Sequence, residues 1–230
     1  MAYTRKHIFI TGSVGVGKTS SITEAVNQCV LMGINVFYVR EYIDFDPYGI
    51  NHYDNWTNGR ESLISFQKYI CKQFREQLKT PEYMTAKLVI WERHPREALL
   101  VFSQTGLSDD ERQELDEMIT ELEDDFLIPK LVENTPICYQ FDMSFATPKL
   151  IGSIVVGTFA RLISDSSIHT CFIYLFYNRN SISLQYGNIC KRGRLEEINR
   201  YSIFKNLIDI NNLYANFVAT YLDSIIYANN

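Results

Sequence analysis

Short apolar runs alternate with longer amphipathic stretches along most of the chain. Continuous apolar runs of this length, bounded by turn residues, are typical of strands buried on both faces. We predict strands at His7–Thr11, Asn35–Arg40, Lys87–Trp91 and Cys171–Tyr177. Pro136–Phe141 also fits a strand, and Ser224–Tyr227 fits a short final one.

The stretches between these runs carry apolar residues at helical spacing. We predict helices at Lys18–Met32, Glu61–Leu78, Pro95–Gln104, Ser108–Asp125 and Arg200–Tyr221. Ser108 is the expected N-cap of the acidic helix that follows it. Lys149–Ile163 fits either a helix or a strand. Glu41–Gly59 is rich in Asp, Asn, Tyr and Gly, so we predict a loop there.

This alternation predicts an α/β fold with a parallel sheet of about five strands and helices on both faces. No repeat, low-complexity tract or linker interrupts the 230 residues, so we expect one domain over residues 1–230. Residues 126–167 remain an unassigned insertion in this scheme.

Composition narrows the classes of function. The net charge is −5 and no basic tract occurs, which argues against nucleic-acid binding. The five cysteines include no C-x-x-C pair, so we expect reduced thiols and a cytoplasmic protein. No 18-residue apolar run is present, so we predict no membrane contact.

A glycine-rich segment follows the first predicted strand. Residues 12–19, GSVGVGKT, match the phosphate-binding pattern G-x-x-x-x-G-K-[ST], between a strand and a helix as the motif requires. We predict a nucleotide site made of Gly12, Ser13, Val14, Gly15, Val16, Gly17, Lys18, Thr19 and Ser20. In such loops the lysine contacts the outer phosphates and the hydroxyl ligates Mg²⁺, so the expected cofactors are ATP and Mg²⁺.

Charged side chains follow the next two predicted strands. Glu41 comes directly after the second strand, where it can act as general base, with Asp44 and Asp46 as alternatives. Glu92 and Arg93 follow the third strand. Because ligands bind at the carboxyl edge of such sheets, we predict Glu92 as a Mg²⁺ ligand and Arg93 as a clamp for acceptor or phosphoryl oxygens.

A basic cluster lies between the last long strand and the last helix. Lys191–Glu197, KRGRLEE, has the pattern of a mobile lid over about residues 188–199, with Arg192 and Arg194 closing on the triphosphate. The chain has no N-K-x-D motif of a GTPase and no D-E pair of a motor ATPase after a strand. These features together favour a small-molecule kinase.

The order of these motifs resembles the deoxynucleoside kinase family. Residues 92–102, ERHPREALLVF, are most similar to the D-R-H-P-x-x-A-L-L segment of herpesviral thymidine kinases, and the lid followed by Leu213–Asn216 is similar to the same branch. The resemblance covers separate blocks from about residue 7 to residue 222 and implies a P-loop kinase fold.

The resemblance also implies roles. Glu41 would be the base for the 5′-hydroxyl, Gln67 would bind the nucleobase edge, and Phe102 and Ile70 would sandwich the base. Tyr53 and Glu197 would contact the sugar, with Tyr48 and Trp56 as alternatives to Tyr53. The implied substrate is a deoxynucleoside, with thymidine favoured. The implied assembly is a homodimer, and the implied location is the cytoplasm, which includes that of a virus-infected host cell.

Two positions depart from the family pattern. Tyr42 stands where the family has Pro after the glutamate, and Glu92 stands where the herpesviral branch has Asp. Two alternatives stay open: a nucleoside monophosphate (thymidylate) kinase, and an inactive P-loop protein that only binds nucleotide.

Overall fold

The structure, a computed structural model, describes residues 5–131, 138–165 and 167–222, together with the backbone of 225–227. Its strands are β1 (Lys6–Thr11), β2 (Val36–Val39), β3 (Leu88–Glu92), β4 (Cys138–Asp142), β5 (Thr170–Phe176) and β6 (Ile225–Tyr227). They form one sheet in the order β2-β3-β1-β5-β4-β6, and all neighbouring pairs are parallel.

Ten α-helices lie within the described residues. They are α1 (Lys18–Leu31), α2 (Tyr42–Phe45), α3 (Gly49–Thr57), α4 (Leu63–Leu78), α5 (Pro81–Thr85), α6 (Asp109–Phe126), α7 (Pro148–Ser164), α8 (Ile182–Arg192), α9 (Leu195–Tyr201) and α10 (Phe204–Tyr221). A π-helical turn spans Ala98–Phe102 and a 3₁₀ turn spans Arg179–Ser181.

The sheet has a core on each face. In β1, Ile8 and Ile10 pack with residues of α1 and α7, whereas Phe9 packs with residues of α4, α6 and α10 on the opposite face. This alternation follows from the two-residue period of a strand. The α/β class with a parallel sheet and helices on both faces is confirmed, with a short β6 added at one edge.

Several local predictions are confirmed. Ser108 caps α6: its hydroxyl accepts a hydrogen bond from the N–H of Glu111, and the Glu111 carboxylate accepts one from the N–H of Ser108. Lys149–Ile163 is helical and lies within α7, which begins at Pro148 after the cap Thr147. Of the segments proposed as further strands, Cys138–Phe141 falls in β4 and Ile225–Tyr227 forms β6, while 136–137 and 224 lie outside the described residues.

One element prediction is wrong, and two predicted helices differ in extent. Residues 41–59 contain α2 and α3 rather than a loop, because Trp56 stacks on Phe66 of α4 at 4.9 Å and tertiary packing outweighs a weak local pattern. The segment after Pro95 forms only the π turn at 98–102. The predicted helix at 200–221 is broken at residues 202–203 and belongs to α9 and α10.

None of the helices in the described ranges is long and apolar enough to cross a membrane. All five cysteines are free thiols.

Candidate active site

The phosphate-binding loop joins β1 to α1. Gly12, Gly15 and Gly17 have φ values of 139°, 76° and 89°, a region that residues with a Cβ rarely adopt. A Cβ on Gly12 would also lie 2.2 Å from the carbonyl oxygen of Leu175. No side chain caps the start of α1 at Gly17, so the first N–H groups of the helix are left to bind an anion.

Lys18 is fully buried beside this loop. Its Nζ donates to the carbonyl oxygen of Ser13 at 3.0 Å. Burial lowers the pKa of Lys18 to about 8, and Arg93 adds to this effect, whereas Glu41 and Glu92 oppose it. The lysine predicted to contact the outer phosphates therefore lies near the carboxylates of Glu41 and Glu92.

Thr19 and Glu92, the two predicted magnesium ligands, are in direct contact. The hydroxyl of Thr19 donates to Glu92 at 2.9 Å, and the hydroxyl of Tyr38 donates to the other oxygen of Glu92 at 2.6 Å. Carboxylate oxygens of Glu41, Asp44 and Glu92 lie within 4.8 Å of one another. Hard oxygen donors of this kind suit Mg²⁺, so the residues present fit the ion.

Arg93 and Glu41 form a buried ion pair between the ends of β3 and β2. Arg93 Nε donates to Glu41, and Arg93 Nη1 donates to the hydroxyl of Tyr214. Burial alone would raise the pKa of Glu41, but the charges of Arg93, Lys18 and Arg192 outweigh it and hold the pKa well below its usual range. Glu41 is therefore ionised at neutral pH.

The backbone around Arg93 is unusual. Arg93 has a φ of 80°, which is rare for a residue with a side chain. Glu97 stabilises this turn: it accepts the N–H of His94 at 2.9 Å and the hydroxyl of Tyr214 at 2.9 Å. The turn aims the guanidinium of Arg93 back toward Glu41.

The predicted lid arginines lie on either side of Gly193, which ends α8. Arg194 forms an ion pair with Asp44 and donates to Glu197 at 3.1 Å. Arg192 lies 3.9 Å from the other oxygen of Glu197. In this structure the two arginines therefore contact carboxylates of α2 and α9, and Arg192 is also near enough to affect Lys18 and Glu41.

A cavity of about 530 Å³ is lined by Glu41, Arg93 and, from the phosphate-binding loop, Val14. The five residues predicted to hold the base and sugar all line it: Gln67, Ile70, Phe102, Tyr53 and Glu197. Gln67 Oε1 and Glu197 Oε2 are buried and have no hydrogen-bond partner among the described residues. Such atoms require a partner, which a polar ligand would supply.

The guanidinium of Arg93 lies over one face of the Phe102 ring, 4.7 Å from its centroid. A planar ligand can therefore stack only on the other face of Phe102. A larger groove of about 830 Å³ lies outside this region, lined by Tyr69 and Lys72 of α4 and by Met118 of α6. The smaller cavity is the candidate site because it alone of the two adjoins Glu41 and Arg93.

Sequence reasoning assigned no role to several residues of this site. Arg200 lies over the ring of Trp56, 4.5 Å from its centroid, and both line the cavity. Tyr214 binds Arg93 from α10. The spacing of Glu197, Arg200 and Tyr201 on one face of α9 was an available signal, whereas nothing local to Tyr214 indicates its contact with Arg93.

No protein-family model matches the chain, and no curated protein matches it. The solved structures that are similar to the chain include two of one kinase. One is deoxyadenosine kinase from M. mycoides with bound dATP, with a TM-score of 0.54, 17% identity, and coverage of 98% of this chain and 91% of that chain. The other is the same kinase with the products dCMP and a flexible dCDP bound, with a TM-score of 0.51, 17% identity, and coverage of 97% and 89%. The chain therefore shares the fold of these deoxyadenosine kinases over nearly its whole length.

Proposed function

We propose that this protein is a deoxynucleoside kinase that transfers the γ-phosphoryl group of ATP to the 5′-hydroxyl of a deoxynucleoside. One observation carries the proposal: the cavity beside Glu41 and Arg93 is lined by Gln67 and Glu197, and Gln67 Oε1 and Glu197 Oε2 accept no hydrogen bond from the described residues. A nucleoside has N–H groups on its base and a 3′-hydroxyl on its sugar, and these can donate to such acceptors.

The phosphate side of the reaction would rest on the loop and its neighbours. The N–H groups at the start of α1 and the Lys18 ammonium bind the β- and γ-phosphates. Thr19 and Glu92 would hold Mg²⁺, which, when bound, neutralises charge that develops on the phosphate oxygens. Because Glu92 already accepts from Thr19 and Tyr38, its orientation is fixed before any ion binds.

The acceptor side would rest on Glu41 and Arg93. Glu41 orients the 5′-hydroxyl and takes up its proton. Arg93 holds the Glu41 carboxylate in place and faces the transferred phosphoryl group. The low pKa of Glu41 makes it a weak base. A loose phosphoryl-transfer transition state demands positioning more than base strength, so an ionised, fixed carboxylate is adequate.

We propose thymidine as the preferred substrate. The Gln67 amide can accept from N3–H of thymine and donate to a ring carbonyl, and Ala98 and Val101 supply apolar wall near a methyl group. The same amide can serve adenine through N6–H and N1, as the likeness to deoxyadenosine kinases suggests. The preference for thymidine therefore depends on the resemblance of residues 92–100 to the herpesviral segment.

We further propose that residues 1–230 act as a single kinase domain with a lid at about 188–199, that the protein forms a homodimer, and that it acts in the cytoplasm on small molecules rather than nucleic acid. Light scattering of the purified protein tests the dimer, and an apparent mass of one chain would contradict it.

A second candidate is a nucleoside monophosphate kinase. Arg200 lines the cavity and forms no ion pair with any residue that the structure describes, so it is available for an acceptor phosphate. Glu41 argues against this alternative, because an ionised carboxylate repels a second phosphate.

The deciding assay measures ADP release with ATP, Mg²⁺ and a panel of thymidine, deoxyadenosine, deoxycytidine, deoxyguanosine and thymidylate. We expect turnover with nucleosides and the highest kcat/KM with thymidine. Turnover with another deoxynucleoside but not thymidine would refute the preference, and turnover with thymidylate alone would support the second candidate. ATP binding without any turnover would identify an inactive nucleotide-binding protein.

A further inference from the structure

Two side chains of α8 bind the phosphate-binding loop directly. Gln185 Nε2 donates to the hydroxyl of Ser13 at 2.7 Å and to the carbonyl oxygen of Val14 at 2.7 Å. One turn later, Asn188 Nδ2 donates to the carbonyl oxygen of Gly15 at 3.1 Å. Three consecutive loop residues are therefore bonded to one helix that has no place in the phosphate-binding motif.

These bonds supply donors that the carbonyl groups of the loop need. A phosphate-binding loop turns its N–H groups toward the ligand, so its carbonyl groups point the other way. A buried carbonyl that lacks a donor costs free energy comparable to a lost hydrogen bond. Gln185 and Asn188 supply side-chain donors to the carbonyl groups of Val14 and Gly15.

The two amides are themselves held in place. The Gln185 side chain is fully buried, and its Oε1 accepts from Asn211 Nδ2 at 2.9 Å. Asn211 in turn accepts from the hydroxyl of Ser13, which closes a ring of three side chains. Asn188 Nδ2 also donates to the hydroxyl of Tyr177 at 3.1 Å.

Packing adds to the hydrogen bonds. A Cβ on Gly15 would lie 2.8 Å from the carbonyl oxygen of Gln185 and 2.7 Å from a side-chain carbon of Ile189. The loop and α8 are thus in backbone contact. Arg192 follows Asn188 by one turn on the same helix.

We propose that Gln185 and Asn188 are positioning residues that hold the loop in its phosphate-binding shape. They act through the carbonyl groups of Val14 and Gly15 and do not touch the nucleotide. The inference rests on the proposed function only in that the loop binds a triphosphate, and it is independent of the acceptor.

The test measures ATP and inorganic tripolyphosphate binding by calorimetry, without any nucleoside. Gln185→Met keeps the volume and removes the two bonds that Gln185 donates to the loop, and Asn188→Leu removes the one bond that Asn188 donates to the loop. The matched control is Ser183→Ala on the exposed side of the same helix. At roughly one kcal/mol for each bond to the loop that is lost, we expect binding about 10- to 30-fold weaker for Gln185→Met and about fivefold weaker for Asn188→Leu.

The two ligands separate positioning from general destabilisation. Tripolyphosphate has no base or sugar, so a fault in loop shape weakens it by the same factor as ATP, and the folded fraction is checked by thermal unfolding. Dissociation constants within twofold of wild type for folded Gln185→Met and Asn188→Leu would overturn the inference. Should Gln185→Met fail to fold, Asn188→Leu alone decides. A wild type that binds ATP but phosphorylates no nucleoside would refute the proposed function and leave this inference standing.

Discussion

Replacing Glu41 by Gln tests the proposed chemistry most directly. The amide has nearly the same shape, and its oxygen can still accept from Arg93 Nε, so the geometry at the end of β2 is retained. The change removes the negative charge and the capacity to take up the proton of the 5′-hydroxyl. The hydrogen bonds from Arg93 to Tyr214 and from Tyr214 to Glu97 keep Arg93 in place.

The expected loss can be estimated from the role. A positioned general base contributes about 10²- to 10⁴-fold to the rate, or about 3–5 kcal/mol of activation free energy. We therefore expect kcat to fall by about that factor. The KM for the nucleoside should change little, because the contacts proposed for its base and sugar, with Gln67 and Glu197, are unchanged.

Glu41 also raises the pKa of Lys18, which is about 8 in the wild type. Without Glu41 that pKa falls, so Lys18 loses its proton at lower pH. We expect ATP affinity near that of wild type at pH 6.5 and weaker affinity at pH 8.5. Calorimetric titrations at the two pH values measure this difference.

The matched control is Asp46→Asn. Asp46 accepts from Tyr69 at 2.7 Å and lines the outer groove rather than the cavity. It should retain turnover in the coupled ADP assay. Turnover of Glu41→Gln within threefold of wild type, or an equal loss in both variants, would refute the assignment of Glu41.

Three further predictions concern the base contact of Gln67, the phosphate-binding loop and the buried side chain of His7. Gln67→Leu should raise the nucleoside KM at least tenfold while ATP affinity is unchanged, because a buried polar partner of the base is lost. The control is Gln73→Leu, since Gln73 is also buried in α4. Equal effects of the two changes would contradict the role of Gln67. Gly12→Ala should abolish ATP binding in titrations and lower the unfolding temperature, since its Cβ would meet the carbonyl oxygen of Leu175 at 2.2 Å. The control Gly33→Ala, in open space at a φ of 70°, should lower the free energy of unfolding by only about 1 kcal/mol. A normal ATP affinity for Gly12→Ala would contradict this reasoning. Burial lowers the pKa of His7 to about 3, so the unfolded chain binds a proton below about pH 6.5 that the folded protein does not, and stability falls as pH falls. Compared with His7→Phe in urea unfolding, the wild type should lose about 2 kcal/mol more between pH 8 and pH 5, and a pH-independent difference between the two proteins would refute this.

The features that the sequence predicted well are those encoded within a few neighbouring residues. The GSVGVGKT segment requires positive φ values at its glycines, and they are present at Gly12, Gly15 and Gly17. The capping pair of Ser108 and Glu111 is separated by three positions and formed as the pattern indicates. Strands buried on both faces have nearly continuous apolar sequences, which made the α/β class predictable.

The helices between Glu41 and Gly59 could not be predicted in the same way. Their sequence lacks a clear apolar period, and α3 is stabilised by contacts of Trp56 with Phe66 and Arg200, which lie in other elements. Short helices have little stability of their own, so tertiary contacts decide whether they form.

The sequence by itself therefore determined the phosphate-binding loop, the parallel sheet and the charged residues at the strand ends. Only the tertiary structure decided how those residues meet: Arg93 with Tyr214, Gln185 with the loop, and Arg194 with Asp44. The partners in each of these contacts are more than a hundred residues apart in the chain. Strand order and helix packing bring them together, and local sequence patterns carry no information about contacts at that separation.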